Sequence, residues 1–511
     1  MAEPPSDSSA RPRPSSYLHK ACMNCRRRKI RCDAERPVCR QCRLRPPRSL
    51  TPCKYSHTPV GGAAPPQLGD TVEAMQDRIR ALEDFTSGNT SEIFLSDPYP
   101  SPLQQYGPFE VKIIYSVDMF LQRFARHQFF FFDVQEFRRA ALLRLPLGHS
   151  DLLPVGLLHA VHLWANRISP AEGSPPDAEA LSLAVHHLAS DIAAIQHPHR
   201  ILQIIQAAIL LSLYYLDMGR LLEGKYHCAA ATSLAFSVGL HRIGSPPHIN
   251  HQPLRFLDAT LPVPPEAGRA KEMVDAFWSV VILNNYWVAT SGVPSNIPSD
   301  VSISTPWPRE TLIDSVSSAA ASTRFSTEND VDGNSPLACL VKASTLLERT
   351  IAIAVGDPGL PHPPGFWALD HRLDTFSRYL QTVVATDQLL LVTRALVNVA
   401  ILRLHAPHIH ISESAQFKSF MAAAGVLSQF ENANTAGWDH VDPILGPVLS
   451  TVAGFYISQL SIFTEAAPGL QRTLVLMELL APLSPLAHQC LVATRMRCDC
   501  AQLQGPPQLQ L

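Results

Sequence analysis

Six of the chain's eleven cysteines fall within 32 positions: Cys22, Cys25, Cys32, Cys39, Cys42 and Cys53, in the pattern C-x2-C-x6-C-x6-C-x2-C-x10-C. A C-x2-C pair sets two sulfurs on one tight turn leading into a helix, which is what one tetrahedral metal needs. Two separate tetrahedral sites would take eight ligands, and the segment offers six. Sharing two thiolates between two Zn²⁺ ions supplies the difference. Six thiolates and two dications sum to −2, so surrounding cations help to hold every sulfur deprotonated. Coordination then stands in for the hydrophobic core that roughly thirty residues cannot build, and the module is expected to unfold without metal.

Those cations are present. Of the chain's 42 Lys/Arg and 44 Asp/Glu, residues 1–56 hold fourteen and four, leaving 28 and 40 for the remainder. A basic arm on an acidic body points to a polyanion partner for the arm. A short helix starting near Cys22 would carry Arg26, Arg27, Arg28, Lys29 and Arg31 into or beside a groove of double-stranded DNA. Phosphate contacts give affinity without sequence choice, whereas discrimination needs donors on base edges. For Arg26, Arg27 and Arg31 the favoured roles are phosphate contact or charge balance for the cluster.

Through ACMNCRRRKIRCDAERPVCRQC and CKY, the segment resembles the fungal zinc-cluster (Zn2Cys6) transcription factors. The resemblance implies that Cys22 and Cys39 bridge two zinc ions, with Cys25 and Cys32 completing one and Cys42 and Cys53 the other. Pro37 takes the place of the loop proline that joins the two halves. The final ten-residue gap, RLRPPRSLTP, is longer than is usual in the family; the next cysteine after Cys53 is Cys228. The resemblance further implies a sequence-specific regulator of the RNA polymerase II type in the nucleus. It would read CGG-like triplets with Lys29 on a base edge and Arg28 beside it, and act with the transcription machinery or co-regulators. RRRK also suits nuclear import. The rival reading is a DNA-independent co-regulator or scaffold carrying a degenerate cluster. A storage site or zinc enzyme would need an open coordination position and an acid/base neighbour, and here the sulfurs are saturated with only Asp33 and Glu35 nearby.

The elements that must position this module follow from composition and spacing. With 511 residues, 46% hydrophobic and 17% charged and with 44 prolines, the chain is expected to fold as several units with a large core. The expected order is a disordered tail over 1–18, the zinc module over 19–57 with two short helices around two zincs, and a linker over 58–71. In TVEAMQDRIRALEDF, Val72, Met75, Ile79 and Leu82 recur at alternating spacings of four and three. That seam over 72–85 predicts a short coiled coil and a homodimer; the alternative is a lone amphipathic helix docked on the body. A second linker over 86–108 leads into a large all-α domain.

Within the body, LLHAVHLWANRIS, GKYHCAAATSLAFSVGLHRI and DAFWSVVILNNYWVATSGVPSNIPSDVSIS resemble the fungal-specific transcription factor domain, here placed at 109–308. The resemblance implies an all-helical regulatory domain. Asn284 and Asn285 stand where an Asp-Arg pair is common, and SGVP where Gly-Arg-Pro is usual, so a salt bridge from that pair is in question. A disordered loop over 309–336, a helical region over 337–500 and a tail over 501–511 complete the expected organisation. No alternating strand runs or internal repeats stand out.

Other chemistry is weaker. GRLLEGKY at 219–226 nearly matches a phosphate-binding loop, but Tyr226 replaces the Mg²⁺-holding hydroxyl and a helix precedes it where a strand is needed. The 21 histidines form no H-E-x-x-H and are expected at the surface or satisfied in the core. No secretory signal opens the sequence, so the cysteines are read as reduced. The uncharged stretch 443–463 carries Gly, Pro, Ser, Thr and Gln, which suits a buried helix and not a membrane span.

Overall fold

The computed structural model describes residues 22, 25, 32, 33, 35 and 38–44 of the N-terminal part. It also describes 109–503, apart from 144–148, 150, 170–176, 195–197, 244–266, 299–300, 309–332, 355–361, 384–386, 434–437 and 439. Arg26, Arg27, Arg28, Lys29, Arg31, Cys53, and Val72, Met75, Ile79 and Leu82 lie outside the described residues, as do both linkers, the N-terminal tail and residues 504–511; residues 501–503 of the expected C-terminal tail belong to a helix. The chain separates into two compact units, Met1–Tyr99 and Pro100–Leu511.

In the first unit one helix is described, α1 (Arg40–Leu44). The second unit is helical throughout, with no strand among its described residues. Its helices are α2 (Phe109–Phe124), α3 (Val134–Ala141), α4 (Val155–Ile168), α5 (Asp177–Ala193), α6 (Pro198–Asp217), α7 (Leu221–Ser237) and α8 (Ala267–Ser291). After these come α9 (Pro336–Ala354), α10 (Phe366–Thr382), α11 (Gln388–His405), α12 (Glu413–Glu431), α13 (Leu445–Gln459), α14 (Ala466–Leu480) and α15 (Pro485–Leu503). Chain neighbours pair along their lengths: α4 with α5, α6 with α7, α11 with α12, and α13 with α14.

Local sequence explains where these helices begin. Asp133 accepts the Gln135 and Glu136 N–H groups at 3.0 and 2.8 Å and so caps α3, while Asp387 caps α11 through Leu390 at 3.0 Å. Prolines at the first positions of α6, α9 and α15 cost nothing, because a first-turn N–H has no partner within the helix. Burial follows the apolar pattern. On α10, Phe366, Leu369, Leu373 and Leu380 form a single buried stripe, whereas α6 is buried from Ile201 through Leu216 on nearly every face. Each fully buried Leu or Phe contributes about 1.5–3 kcal/mol.

Two stretches, Arg200–Asp217 and Gln388–His408, are long and apolar enough to cross a membrane, but 89% and 72% of their windows are buried inside this unit. They are core helices. The uncharged segment 443–463 contains α13, whose buried face runs from Leu445 to Gln459.

Several buried polar groups on the central helices tie neighbouring elements together. Gln206 of α6 holds the connection after α2 from both sides, donating to Phe129 O at 2.6 Å and accepting from Phe131 N at 3.3 Å. The two asparagines that depart from the family pattern form a neutral network. Asn285 donates to Ser344 and Thr345 of α9, each at 3.3 Å, and Asn284 donates to Ser295 Oγ at 2.8 Å and accepts from Asn296 N at 2.9 Å. Hydrogen bonds from the two side-chain amides join α8 to α9 and to the segment after α8.

Candidate metal centre

In the first unit, Cys22, Cys25, Cys39 and Cys42 are all buried, and their sulfurs lie within 4.8 Å of one another. Each C-x2-C pair uses the same turn. The N–H of Cys25 donates to Cys22 Sγ and the N–H of Cys42 donates to Cys39 Sγ, both at 3.4 Å. The first sulfur of each pair is thereby fixed by backbone, and the second follows on the next turn. Cys42 sits on α1, so that short helix carries one sulfur inward and leaves Arg40, Gln41 and Arg43 exposed.

Close sulfur pairs include Cys22–Cys39 at 3.7 Å, Cys22–Cys42 at 3.8 Å and Cys25–Cys39 at 3.6 Å. A tetrahedral zinc with Zn–S bonds of about 2.3 Å sets its sulfurs about 3.8 Å apart. The spacing therefore fits zinc and excludes disulfides, which need about 2.05 Å. Cys32 joins the group from the other side, with its sulfur within 4.8 Å of Cys39 Sγ and an Asp33 oxygen.

The electrostatics agree. Burial pushes the Cys25 and Cys39 thiols above the ordinary thiol range. Burial thus favours the protonated form of these two thiols, and a dication beside them reverses that preference.

Asp33 was missed as a positioning residue by sequence reasoning. Its carboxylate accepts the Arg40 N–H with both oxygens, at 3.2 and 3.1 Å, which ties the segment after Cys32 to the start of α1. A carboxylate at a helix N-terminus also suits the helix dipole. The seven-residue separation hides it from any local capping pattern. The exposed Arg43–Glu35 pair at 3.8 Å adds little.

Among the described residues, the groupings of His, Cys, Asp and Glu compact enough for a metal are these cysteines and the Cys32–Asp33–Cys39 set. Histidines in the second unit serve instead as core rings. His227 stacks on Tyr215 at 5.5 Å and His241 on Phe236 at 4.6 Å, and burial lowers both to about 4. The phosphate-loop look-alike is a helix–turn–helix: Gly219 and Arg220 link α6 to α7, and Gly224 lies within α7. A Cβ on Gly224 would overlap the Trp287 ring, so this glycine serves close helix packing.

Comparison with known proteins bears on both units. Residues 20–59 match the family described as the fungal Zn(2)-Cys(6) binuclear cluster domain. Residues 117–382 match the fungal specific transcription factor domain. The chain is also 35% identical over 94 residues to the zinc finger transcription factor YRR1 of Saccharomyces cerevisiae, a match covering 17% of this chain and 11% of that relative. No solved structure matches.

Proposed function

This chain belongs to the fungal-specific transcription factors that carry a Zn(2)-Cys(6) cluster, and on that premise we propose that it binds double-stranded DNA in a zinc-dependent, sequence-selective manner to regulate transcription. The observation that carries the reading is the pair of C-x2-C turns whose sulfurs converge at tetrahedral-edge spacing, in a segment with fourteen basic and four acidic residues.

Six cysteines supply two tetrahedral zincs when two sulfurs are shared, and the close sulfur pairs are compatible with that sharing. When Cys22 and Cys39 are shared, Cys25–Cys39 is an edge of one tetrahedron, Cys22–Cys42 an edge of the other, and Cys22–Cys39 the edge common to both. Cys32 then completes the first site and Cys53 the second. Bound zinc supplies the fixed geometry that orients the basic segment. The chain's own residues do the rest: Lys29, with Arg28, donates to guanine edges of a CGG-like triplet, and Arg26, Arg27 and Arg31 meet phosphates. Val72, Met75, Ile79 and Leu82 pair two copies, which sets half-site spacing. Nuclear RNA polymerase II promoters, reached with co-regulators, are the setting this reading assigns.

The test is electrophoretic mobility shift of the full chain with duplexes containing CGG triplets, against scrambled duplexes, with and without chelator. Binding that selects CGG and disappears with zinc is expected. Binding that survives chelation or ignores sequence sinks the proposal, and no binding to any duplex favours a DNA-independent co-regulator.

A further inference from the structure

The second unit has a cleft of about 690 Å³ lined by α8, α11, α13 and α15. Two guanidinium groups are each anchored on one turn of α13. Arg403 of α11 donates to Thr451 Oγ1 at 3.2 Å, and Arg497 of α15 donates to Ser450 Oγ at 2.7 Å. Arg497 also donates to Thr494 Oγ1 at 3.1 Å, and both arginines line the same cleft. No carboxylate lines the cleft.

Two other arginines of the unit, whose Nε atoms are likewise without partners, have stronger acceptors at their terminal nitrogens. Arg167 pairs with Asp217 at 3.3 Å, and Arg394 donates to the Leu380 and Val383 carbonyls at 2.9 and 2.7 Å. Arg403 has only the threonine hydroxyl, its Nε has no partner, and desolvation lowers its pKa with no carboxylate opposing. Two further cleft-lining groups, Thr290 Oγ1 and Gln459 Oε1, are also buried without partners. Folding alone gains little from this arrangement, because holding the half-buried Arg403 charge without a counter-charge is a cost. Costs of that kind are characteristic of binding sites.

The guanidinium fork matches a carboxylate in two-point geometry. Gly454 leaves room for it, since a Cβ there would lie 3.3 Å from Arg497 Nη1. Beyond the charged end the lining turns apolar with Leu402, Phe455 and Leu486. We infer that this cleft binds a small organic carboxylate, its head held by Arg403 and Arg497 and its hydrocarbon part by Leu402, Phe455 and Leu486. The site lies wholly within the second unit and does not rest on the DNA-binding reading.

The experiment is isothermal titration of the zinc-loaded full chain with octanoate, phenylacetate, acetate, octanol and inorganic phosphate. Saturable binding of octanoate or phenylacetate with Kd below about 1 mM is expected. Arg403→Gln and Arg497→Gln should each weaken it about tenfold or more, because each removes a charge-assisted contact. The melting temperature of Arg403→Gln should hold or rise, which separates lost binding from lost fold; Arg497 is exposed and provides an independent variant. Octanol should bind about tenfold more weakly than octanoate, for want of the charge. Equal binding by octanol, unchanged binding in Arg497→Gln, phosphate binding as tightly as any carboxylate, or no saturable carboxylate binding would each overturn the inference.

Discussion

The Sγ atoms of Cys22 and Cys39 lie 3.7 Å apart, and each accepts the N–H of the cysteine three places on at 3.4 Å. The two halves of the module therefore present the same turn to each other, with the first sulfur of each half at the centre. A central sulfur shared by two metals has a different consequence on removal from a peripheral one. Cys39→Ser is expected to leave close to no zinc, whereas Cys42→Ser should retain about one of about two ions, since it deprives only one tetrahedron. Zinc per chain by emission spectroscopy after desalting decides this. Equal retention in the two variants would count against the shared-sulfur arrangement.

The basic residues divide by what they are expected to touch. Lys29→Ala should cost about 1–3 kcal/mol at a CGG-containing site and relax selectivity at one base pair. Arg27→Ala should weaken all duplexes alike and reduce the slope of log K against log salt by about one. Binding isotherms at several salt concentrations on matched and scrambled duplexes separate the two behaviours. If Lys29→Ala lowers both affinities equally, its assignment to a base edge fails.

Legibility differed between the two units for a physical reason. Metal ligation depends on residue type at fixed spacing, so the six cysteines could be grouped from their numbers alone; the structure brings Cys22, Cys25, Cys39 and Cys42 within 4.8 Å of one another, and Cys53 lies outside the described residues. The helical body was also readable, because runs such as ILQIIQAAILLSLYYLDM have no face for water and must be core. What stayed hidden depends on residues far apart in sequence. Asp33 reaches Arg40 seven residues on, and Arg403 and Arg497 line one cleft because α11 and α15 both pack on α13. Nothing in the local sequence around 403 or 497 announces a partner that is missing.

Gly224 shows the same point in reverse, since a motif visible in sequence has a packing explanation. Its carbonyl accepts Ser212 Oγ at 2.8 Å, and Ser212 in turn accepts the Trp287 indole N–H at 2.8 Å. With no side chain at 224, the Trp287 ring seats against α7, and an added Cβ would also crowd Tyr215 Cβ at 2.8 Å. Gly224→Ala is expected to destabilise the body by about 1–3 kcal/mol through overpacking, outweighing the helix propensity that alanine gains. Lys225→Ala should leave stability nearly unchanged. Chemical denaturation of both variants checks this, and a Gly224→Ala chain as stable as the parent would refute the packing role.

Asp442 offers a test of the core by pH. It is 1% exposed, and its Oδ2 accepts from Gln128 Nε2 at 2.5 Å and from Tyr286 OH at 3.1 Å, while Oδ1 accepts Ile444 N at 3.0 Å. Burial pushes its pKa up to about 6 despite these donors, and the charge of Asp217 adds to the rise. A carboxyl with a folded pKa above its unfolded value of about 3.9 favours the fold most when protonated. That contribution is full below about pH 4 and is lost as pH rises through about 6, amounting to about 3 kcal/mol. Asn keeps an acceptor for Ile444 N, and the Gln128 amide can turn to meet its NH2 group. Relative to the parent, Asp442→Asn should therefore gain stability by up to about 3 kcal/mol between pH 4 and pH 7.5. All six tryptophans lie beyond residue 109, so their fluorescence during urea unfolding follows this unit without the zinc module. Parallel stability curves for the parent and Asp442→Asn across that range would show that Asp442 titrates normally.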